Sequence, residues 1–403
     1  MIHLITRLPL PYQQTLCRTL SDSYGRAFVA WFHERGHEDF PYRSRGASGF
    51  THYYLSEVGY RRLFQELKAD PEAVVILGGW SSPMTNKTLL VTKLLGIPVF
   101  IWADHPRPRK QRWLRDHLRR MYLRMLARIV EGFLACGRPT VEHLVSLRIV
   151  REKVTNFPYW VEVPQEWSIP KRCADEKSAR LPLRLLAVGR FVPFKQFEVA
   201  IQAVALANQR AGCVLAELVI AGDGPERANL EALAQGLGCE TTVSFSGWLE
   251  IGEVYEALRQ ADALLVPSRF EAYGVVVLEA MAAGRPVMAS AEVVAALDRD
   301  EGSGAVLLHK IGDVESLAEQ INLLATNREK LGSASIASRQ TAEKWPPERA
   351  ATIVGKVLES TKRGRSLLQH RQQTLASVQT PRAARGSLNH ERTETTAVAT
   401  SGK

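Results

Sequence analysis

The chain lacks several features that would place it in other classes of protein. It has no apolar run of about 18 residues, so no segment is predicted to span a membrane, and its start does not resemble a secretion signal. No Asp-x-Asp pair lies near the end of a predicted strand, so no metal or other cofactor is expected. The cysteines form no C-x-x-C pair, which argues against a structural metal site and for the reducing cytoplasm; they are Cys17, Cys136, Cys173, Cys213 and Cys239.

What the chain does contain is typical of a globular protein with two domains. It has 403 residues, of which 45% are hydrophobic and 23% are charged. The net charge of +10 is unevenly spread: Lys and Arg prevail in residues 1–160, Asp and Glu in residues 161–360, and Lys and Arg again in the remainder. A basic first half and an acidic second half suggest two domains with different partners.

Strand-like and helical segments alternate along most of the chain, which predicts an α/β fold with parallel sheets. Strands predicted in the first half are IHLIT (2–6), AVVILGG (73–79), PVFIWAD (98–104), FLAC (133–136) and KVTNFP (153–158). Strands predicted in the second half are LRLLAVG (183–189), ELVIAGDGP (217–225, running into a turn), VSFSGW (243–248), ALLVPS (263–268) and PVMAS (286–290). We expect two Rossmann-like domains facing a cleft, with ligands bound beyond the carboxyl ends of the strands.

Composition sets the expected boundaries. Residues 1–160 form the first domain and residues 161–182, which are polar and contain three prolines, a linker. Residues 183–345 form the second domain and residues 346–362 a closing helix. Residues 363–403 are rich in Gln, Arg, Ser and Thr and are predicted to be a disordered basic tail.

The segment FEAYGVVVLEAMAAGRP (270–286) places two carboxylates around an apolar helix. Gly274 allows the backbone to approach a ligand closely, and a helix is predicted from about Val275 to Ala283. The first amides of a helix have no intrahelical partner and attract anions, so a diphosphate could bind there. Glu271 and Glu279 could then accept hydrogen bonds from sugar and ribose hydroxyls. The alternative is that Glu279 is merely solvated and that Glu271 merely favours the helix dipole.

This segment matches the E-x7-E motif of retaining glycosyltransferases, and the chain resembles glycosyltransferase family 4. The matching positions are Pro267-Ser268, Phe270-Glu271, Tyr273-Gly274, Glu279-Ala280-Met281 and Gly284-x-Pro286. The resemblance is close over residues 183–326, loose in the first half and absent from the tail. It implies the GT-B fold, with an acceptor-binding first domain and a second domain that binds a nucleotide-sugar donor.

The resemblance also implies roles for individual residues. Arg190 and Lys195 would hold the donor diphosphate, although surface charge is the alternative for both. Glu271 would bind the hydroxyls of the donor sugar and Glu279 the ribose. The amides of Tyr273, Gly274 and Val275 would contact phosphate and sugar, and Trp248 and Leu249 would receive the base. Asp223 is expected to serve the turn rather than catalysis.

Two departures from the family pattern stand out. The family often has a Gly-Gly loop after its first strand, whereas this chain has ITRLPLPYQQTL, which leaves the acceptor geometry open. The usual Lys-Gly is Lys195-Gln196 here, a change expected to be harmless. We expect the segment Tyr12–Thr15 to close against the donor.

The first domain contributes His105 and a basic segment. His105 follows a predicted strand, where the family often has a histidine facing the donor sugar; its alternative is a structural or surface role. Residues 107–130 contain nine Lys and Arg residues and one acid, with an apolar stripe at helical spacing that is expected to pack on the sheet. The basic face is either solvated or contacts an anionic membrane or a lipid diphosphate, and nucleic acid is not expected. The residues proposed for that contact are Arg107, Arg109, Lys110, Arg112, Arg119 and Arg120.

Together these observations predict a metal-independent, retaining hexosyltransferase with no cofactor. It would move a sugar from a nucleotide diphosphate sugar to a glycan or lipid-linked acceptor in cell-envelope polysaccharide synthesis. It would act in the cytoplasm, either free or as a peripheral protein at the inner face of the membrane. The alternatives are a GT-B enzyme with a soluble acceptor, a sugar-nucleotide epimerase, and a non-catalytic scaffold that binds sugar nucleotides.

Overall fold

The structure is a computed structural model that describes residues 1–36, 47–80, 83–107, 113–164, 167 and 182–379. Its first half contains a parallel sheet of seven strands in the order β3-β2-β1-β4-β5-β6-β7. The strands are β1 (Ile2–Thr6), β2 (Phe28–Phe32), β3 (His52–Tyr54), β4 (Val74–Gly78), β5 (Val99–Ala103), β6 (Gly132–Ala135) and β7 (Val154–Asn156). The helices are α1 (Pro11–Tyr24), α2 (Leu55–Ala69), α3 (Pro83–Leu94), α4 (Trp113–Ile129) and α5 (Arg138–Ser146).

The second half contains a parallel sheet of six strands in the order β10-β9-β8-β11-β12-β13. The strands are β8 (Leu183–Val188), β9 (Ala216–Ala221), β10 (Val243–Gly247), β11 (Ala263–Val266), β12 (Val287–Ser290) and β13 (Val306–His309). The helices are α6 (Phe197–Ala211), α7 (Arg227–Gly236), α8 (Ile251–Gln260), α9 (Val275–Ala282), α10 (Val294–Arg299), α11 (Val314–Thr326) and α12 (Arg328–Glu343). Two further helices follow, α13 (Glu348–Glu359) and α14 (Lys362–Gln379).

The predicted α/β class with two Rossmann-like domains is confirmed, but three strands were missing from the prediction. They are β2, β3 and β13. The residues of β2 read FVAWF and are all buried, so the segment has no alternation of apolar and polar residues. The segment of β3 has only three residues, and β13 has four. Strands that are short or buried on both faces give little periodicity from which to predict them.

Both sheets reverse their strand order at the first strand of the domain. β1 lies between β2 and β4, and β8 lies between β9 and β11. A doubly wound sheet forms a crevice at such a switch point, beyond the carboxyl ends of its strands. The loops that follow β1, β8 and β11 are therefore the places where a ligand site is expected.

The last two helices return to the first domain. Tyr24 of α1 donates a hydrogen bond from its hydroxyl to the carbonyl of Ala351 in α13 at 2.9 Å. In α14, Arg363 donates to the carbonyl of Leu95 at 3.0 Å, and His370 pairs with Glu72 at 2.6 Å. The C-terminal helices therefore connect the second domain back to the first, while most of the linker segment 161–182 lies outside the described residues.

The prediction of a disordered tail from residue 363 is wrong for the segment that α14 covers. The helix continues to Gln379, and residues 380–403 lie outside the described residues. Leu367 is buried, while the guanidinium of Arg371 lies 4.9 Å from the ring of Tyr24 and Ser366 bonds Glu72. Most of these anchors are polar, and polar anchors leave no apolar periodicity in the sequence.

Candidate functional site

A cleft of about 1280 Å³ separates the two domains. Its first wall is the loop after β1 together with the start of α1, and its second wall is α8 together with Glu279. Tyr12, Gln14 and Thr15 line it, so the segment Tyr12–Thr15 faces the second domain across the cleft. The loop is fixed in place, because the side chain of Gln14 donates to the carbonyl of Pro9 at 2.8 Å. The Pro-rich loop thus builds one wall of the cleft.

Lys195 and Glu271 form an ion pair between the loops that follow β8 and β11. Both side chains are mostly buried, and Glu271 also accepts a hydrogen bond from the Ser268 hydroxyl at 2.9 Å. The two loops are joined by their backbones as well, since the amide of Arg269 donates to the carbonyl of Phe194 at 2.8 Å. The structure therefore brings two of the predicted donor residues together, and it adds Ser268, which the sequence marked only as part of a motif.

The departure at residue 196 has a conformational consequence. Gln196 has a φ of 51° and a ψ of 41°, which is the left-handed region that glycine adopts without strain. A glycine at this position would suit the backbone better than Gln196 does. The other predicted cation, Arg190, is exposed directly after Gly189 at the end of β8.

Helix α9 begins beside this ion pair. Its N-cap is Gly274, with a φ of 96°, and a Cβ on this residue would lie 3.2 Å from a methyl group of Val293. No side chain caps the helix, so the amides at the start of α9 are available to a ligand. Of the predicted amides, that of Val275 belongs to the first helical turn. The side chain of Tyr273, in contrast, is buried against the first domain, so only its backbone could contact a donor.

Glu279 lies one turn into α9 and lines the cleft. Its side chain reaches the cleft but is otherwise surrounded by protein atoms. None of the described residues forms an ion pair or a side-chain hydrogen bond with it. Burial raises the pKa of Glu279 to about 7. A carboxylate held in this way gains hydrogen bonds when ligand hydroxyls arrive.

Asp223 serves the turn after β9, as predicted. It accepts a hydrogen bond from the amide of Gly224 at 2.7 Å and pairs with Arg227 at 3.8 Å. The flanking glycines are required for packing, because a Cβ on Gly222 would lie 1.9 Å from the carbonyl oxygen of Gly189. The AGDGP turn therefore packs directly against the loop after β8.

Trp248 and Leu249 follow β10 at the same edge of the second sheet. Leu249 packs against the core, and Trp248 is partly exposed. The cleft wall starts at the next residue, Glu250, so the two residues adjoin the cleft without lining it.

His105 follows β5 and is half-buried. Its Nδ1 is buried and has no hydrogen-bond partner among the described residues, and its ring lies 5.5 Å from the ring of His143. Burial and the charge of Arg119 lower the pKa of His105, and burial together with His105 lowers that of His143 to about 4. His105 is therefore neutral at neutral pH.

The His105 loop reaches the donor domain. The guanidinium of Arg107 lies over the ring of Phe194 at 4.4 Å, one residue before Lys195. Asp104, the residue before His105, accepts a hydrogen bond from the hydroxyl of Tyr159 at 2.8 Å. Part of Asp104 is exposed to solvent, but the protein atoms packed around its carboxyl group raise the pKa of that group by desolvation. The sequence placed Asp104 only as a neighbour of His105.

The basic segment differs from the prediction in how its apolar residues are arranged. Arg109, Lys110 and Arg112 lie outside the described residues. In α4, Arg119 stacks on Trp80 at 4.9 Å, and Arg120 is exposed. The predicted stripe does not pack on the sheet as a whole, because four of its members are exposed: Leu118, Met121, Met125 and Ile129. Helical spacing shows which apolar residues share a face of the helix, but it does not show which face packs on the sheet.

The described residues hold no group of three or more His, Cys, Asp or Glu side chains arranged to bind a metal ion. Among the same residues, no helix is long and apolar enough to cross a membrane.

Comparison with known proteins finds similarity to glycosyltransferases. Residues 182–327 match the family described as Glycosyl transferases group 1. The amylovoran biosynthesis glycosyltransferase AmsK of Erwinia amylovora is 31% identical over 221 residues, which cover 53% of this chain and 51% of AmsK. The lipopolysaccharide core biosynthesis glycosyltransferase LpsE of Rhizobium meliloti is 35% identical over 144 residues, covering 36% of this chain and 39% of LpsE. The chain thus matches about half or less of the length of these curated relatives.

The fold matches over a much larger part of the chain. The solved structure of Anabaena Alr3699/HepE in complex with UDP has a TM-score of 0.69 and covers 89% of this chain and 100% of its own. Sequence identity in that comparison is 15%, so the likeness establishes the fold. The predicted GT-B fold is confirmed.

The raised pKa of Glu279 generates a prediction about stability. A carboxyl group whose pKa is 4.5 in the unfolded chain and about 7 in the fold binds its proton more tightly in the folded state, so its protonation stabilises the fold. Its favourable contribution is complete below the lower value and is lost as the pH rises through the upper one. We therefore expect Glu279→Gln to be more stable than the wild type above neutral pH, by about 1–3 kcal/mol, with a smaller difference near pH 5.

The measurement is the melting temperature of both proteins at pH values from about 5 to above 7. Glu240→Gln, which changes an exposed carboxylate, is the matched control and should follow the wild type at every pH. A Glu279→Gln curve parallel to that of the wild type would contradict the raised pKa.

Proposed function

We propose that this chain is a retaining glycosyltransferase of family 4. It would transfer a hexose from a nucleotide diphosphate sugar to a glycan or lipid-linked acceptor in the synthesis of cell-envelope polysaccharide. One arrangement carries this proposal: the Lys195–Glu271 pair lies beside the free N-terminus of α9, with Glu279 facing the cleft on the same helix. A diphosphate, a sugar and a ribose are the groups that this combination of charges and donors suits.

In this proposal the donor diphosphate occupies the start of α9. The amides of Gly274 and Val275 and the ammonium of Lys195 bind its oxygens, with Arg190 at the solvent side. Glu279 accepts hydrogen bonds from the ribose, and Trp248 and Leu249 lie on the side of the base. These cations and amides stabilise the charge on the leaving diphosphate, so we propose that the transfer needs no metal.

Without donor, the charges of Lys195 and Glu271 neutralise each other. In the proposed complex, Lys195 exchanges this carboxylate for the diphosphate, because a diphosphate offers more negative charge and more acceptors. Glu271 then accepts hydrogen bonds from the sugar hydroxyls, while the Ser268 hydroxyl keeps its side chain in place. The exchange would couple recognition of the sugar to recognition of the diphosphate.

His105 would act from the acceptor domain. A neutral imidazole with an unpaired buried nitrogen can donate to or accept from a donor-sugar hydroxyl without repelling the cations nearby. We propose that it orients the sugar and forms no covalent bond. Attack by the acceptor on the face that the diphosphate leaves would retain the configuration at the anomeric carbon.

The choice of acceptor rests on the relatives. AmsK and LpsE are named for amylovoran and lipopolysaccharide core biosynthesis, and this supports an envelope polysaccharide as the product. The structure of HepE contains UDP, which supports a nucleoside diphosphate donor. An epimerase or a non-catalytic scaffold would bind the same donor, but neither would transfer the sugar to an acceptor.

Donor binding tests the site directly. We expect one member of a set of UDP-, GDP-, ADP- and dTDP-sugars to raise the melting temperature, since ligand at about 100 times its Kd adds about 2.7 kcal/mol of stability. Glu271→Gln should bind the free nucleoside diphosphate at least as tightly as the wild type, because Lys195 loses its competing carboxylate. The same variant should lose the extra affinity for the sugar nucleotide, and turnover should fall by about a hundredfold or more.

Ser268→Ala is the matched control, because it leaves both charges in place and removes one hydrogen bond to Glu271. It should leave the affinity for the free nucleoside diphosphate unchanged, because Lys195 keeps its competing carboxylate, and it should weaken the preference for the sugar nucleotide only slightly. If Glu271→Gln kept the preference for the sugar nucleotide, or if no nucleotide shifted the wild type, the proposed site would be wrong.

The exposed side of α4 supports a location at the inner face of the membrane. Its four exposed apolar residues adjoin exposed arginines, among them Arg120 and Arg128. Helix α3, which Tyr122 of α4 contacts through a 2.8 Å hydrogen bond to Asn86, exposes Leu90 and Leu94 as well. An apolar strip beside arginines suits the boundary between headgroups and acyl chains of an anionic bilayer.

Sedimentation with lipid vesicles tests this location. We expect the wild type to bind vesicles that contain phosphatidylglycerol and to bind pure phosphatidylcholine only weakly. Replacing both Arg120 and Arg128 by Glu should weaken binding by about tenfold or more. Replacing both Met121 and Met125 by Glu should weaken it to a similar extent. Ile336→Glu, which changes an exposed apolar residue of α12, is the control and should bind as the wild type does. Equal binding of all variants would contradict the membrane contact.

A further inference from the structure

Asp298 connects four groups from both domains without reaching solvent. Its side chain is 0% exposed, although it belongs to α10 at the edge of the second domain. One carboxylate oxygen accepts from the amide of Arg138 at 2.7 Å and from the side chain of Asn156 at 3.4 Å, both in the first domain. The other accepts from the hydroxyl of Tyr273 at 3.2 Å and from the guanidinium of Arg299 at 2.7 Å.

The contact between α5 and α10 is reciprocal. Asp298 binds the first amide of α5, where the helix dipole favours a negative charge. In return, the guanidinium of Arg138 donates to the carbonyls of Leu297, Asp298 and Asp300 at 2.7, 2.9 and 3.0 Å, where the end of α10 favours a positive charge. Each domain therefore supplies the group that caps a helix of the other domain.

The two helices also approach each other very closely. Gly137 precedes α5 with a φ of 85°, and a Cβ at this position would lie 3.0 Å from a methyl group of Val294 and 3.2 Å from the ring of Tyr273. A glycine is therefore needed here for both its conformation and its size. Close packing of this kind leaves little freedom for the two helices to slide.

This contact reaches the turn that starts α9 through Tyr273. Its hydroxyl donates to Asp298, and its carbonyl accepts from the amide of Ala295 in α10 at 2.7 Å. On the other side, its ring lies 5.3 Å from that of Tyr159, whose hydroxyl bonds Asp104 beside His105. Tyr273 is thus the point where the α9 turn, the α5–α10 contact and the His105 loop meet.

We infer that Asp298 and Tyr273 are positioning residues, which hold the turn Glu271–Val275 at a fixed place relative to the first domain. This inference rests on the proposed function for the statement that the turn binds the donor. A buried carboxylate that pairs with arginine contributes little net stability, because desolvation offsets the attraction. What the arrangement provides is a defined geometry: a disturbance at Arg138 reaches the turn through Asp298 and Tyr273.

Hydrogen exchange of backbone amides tests this chain of contacts without any donor. The relevant amides are hydrogen-bonded ones around the turn: Glu271, Val277 and Ala295. We expect Arg138→Ala to speed their exchange by about tenfold, the effect of losing charge-assisted hydrogen bonds. In a protein that also carries Tyr273→Phe, Arg138→Ala should add little further increase at Glu271 and Val277, because the hydroxyl bond from the turn to Asp298 is already broken. Ala295 lies in α10 and still bonds the carbonyl of residue 273, so its amide reports on α10 itself.

The matched control is Arg124→Ala. Arg124 donates to the carbonyl of Leu147 at 2.9 Å, so it binds the opposite end of α5 without touching the second domain. Exchange around the turn should stay at its wild-type rate in this variant. If Arg138→Ala does not fold, Arg138→Lys keeps the charge with fewer donors and should give a smaller effect with the same dependence on Tyr273.

Two results would overturn the inference. One is an equal increase with and without the Tyr273 hydroxyl, which would mean that Arg138 acts on stability alone. The other is an unchanged exchange rate around the turn in Arg138→Ala. Donor affinity gives a second measurement, and Arg138→Ala should weaken it only where Tyr273 is present. Absence of donor binding by the wild type would contradict the proposed function but would not affect the exchange result.

Discussion

The reciprocal capping of α5 and α10 is the interaction on which the relation between the two domains depends. The start of α5 carries a partial positive charge and the end of α10 a partial negative charge. The opposite domain provides the matching charge, through Asp298 for α5 and Arg138 for α10. Domain interfaces within one chain are usually polar and permit motion. Here the carboxylate of Asp298 is buried and the hydrogen bonds of Asp298 and Arg138 are directional, so they fix this part of the interface.

The two carboxylates of the proposed donor site differ in their partners. Lys195 and Glu271 pair with each other, whereas Glu279 has no partner among the described residues and burial raises its pKa to about 7. In the proposed complex both acids would accept hydrogen bonds from sugar or ribose hydroxyls. That role would explain why residues 270–286 combine buried aliphatic residues with carboxylates. It also explains why the start of α9 has no capping side chain of its own.

Much of this organisation was predictable from the sequence, and the failures have physical reasons. Alternating segments predicted both sheets, and the E-x7-E spacing placed Glu271 in the loop and Glu279 on the helix. The strand β2 escaped because it is buried on both faces, and α14 escaped because polar groups anchor it. The exposed apolar side of α4 requires knowledge of which face meets the sheet. Asp298 and Arg138 carry no local signal at all, since their partners lie about 160 residues away in the chain.

The most direct test of the account is a crystal structure with a nucleoside diphosphate sugar, with UDP-glucose as the first choice because HepE has been solved with that molecule. The account predicts a diphosphate at the start of α9 in contact with Lys195, sugar hydroxyls at Glu271 and the ribose at Glu279. It also predicts that the Lys195–Glu271 pair is broken while the Asp298–Tyr273 bond is kept. A nucleotide bound elsewhere, or one bound in the cleft beside an intact Lys195–Glu271 pair, would contradict it.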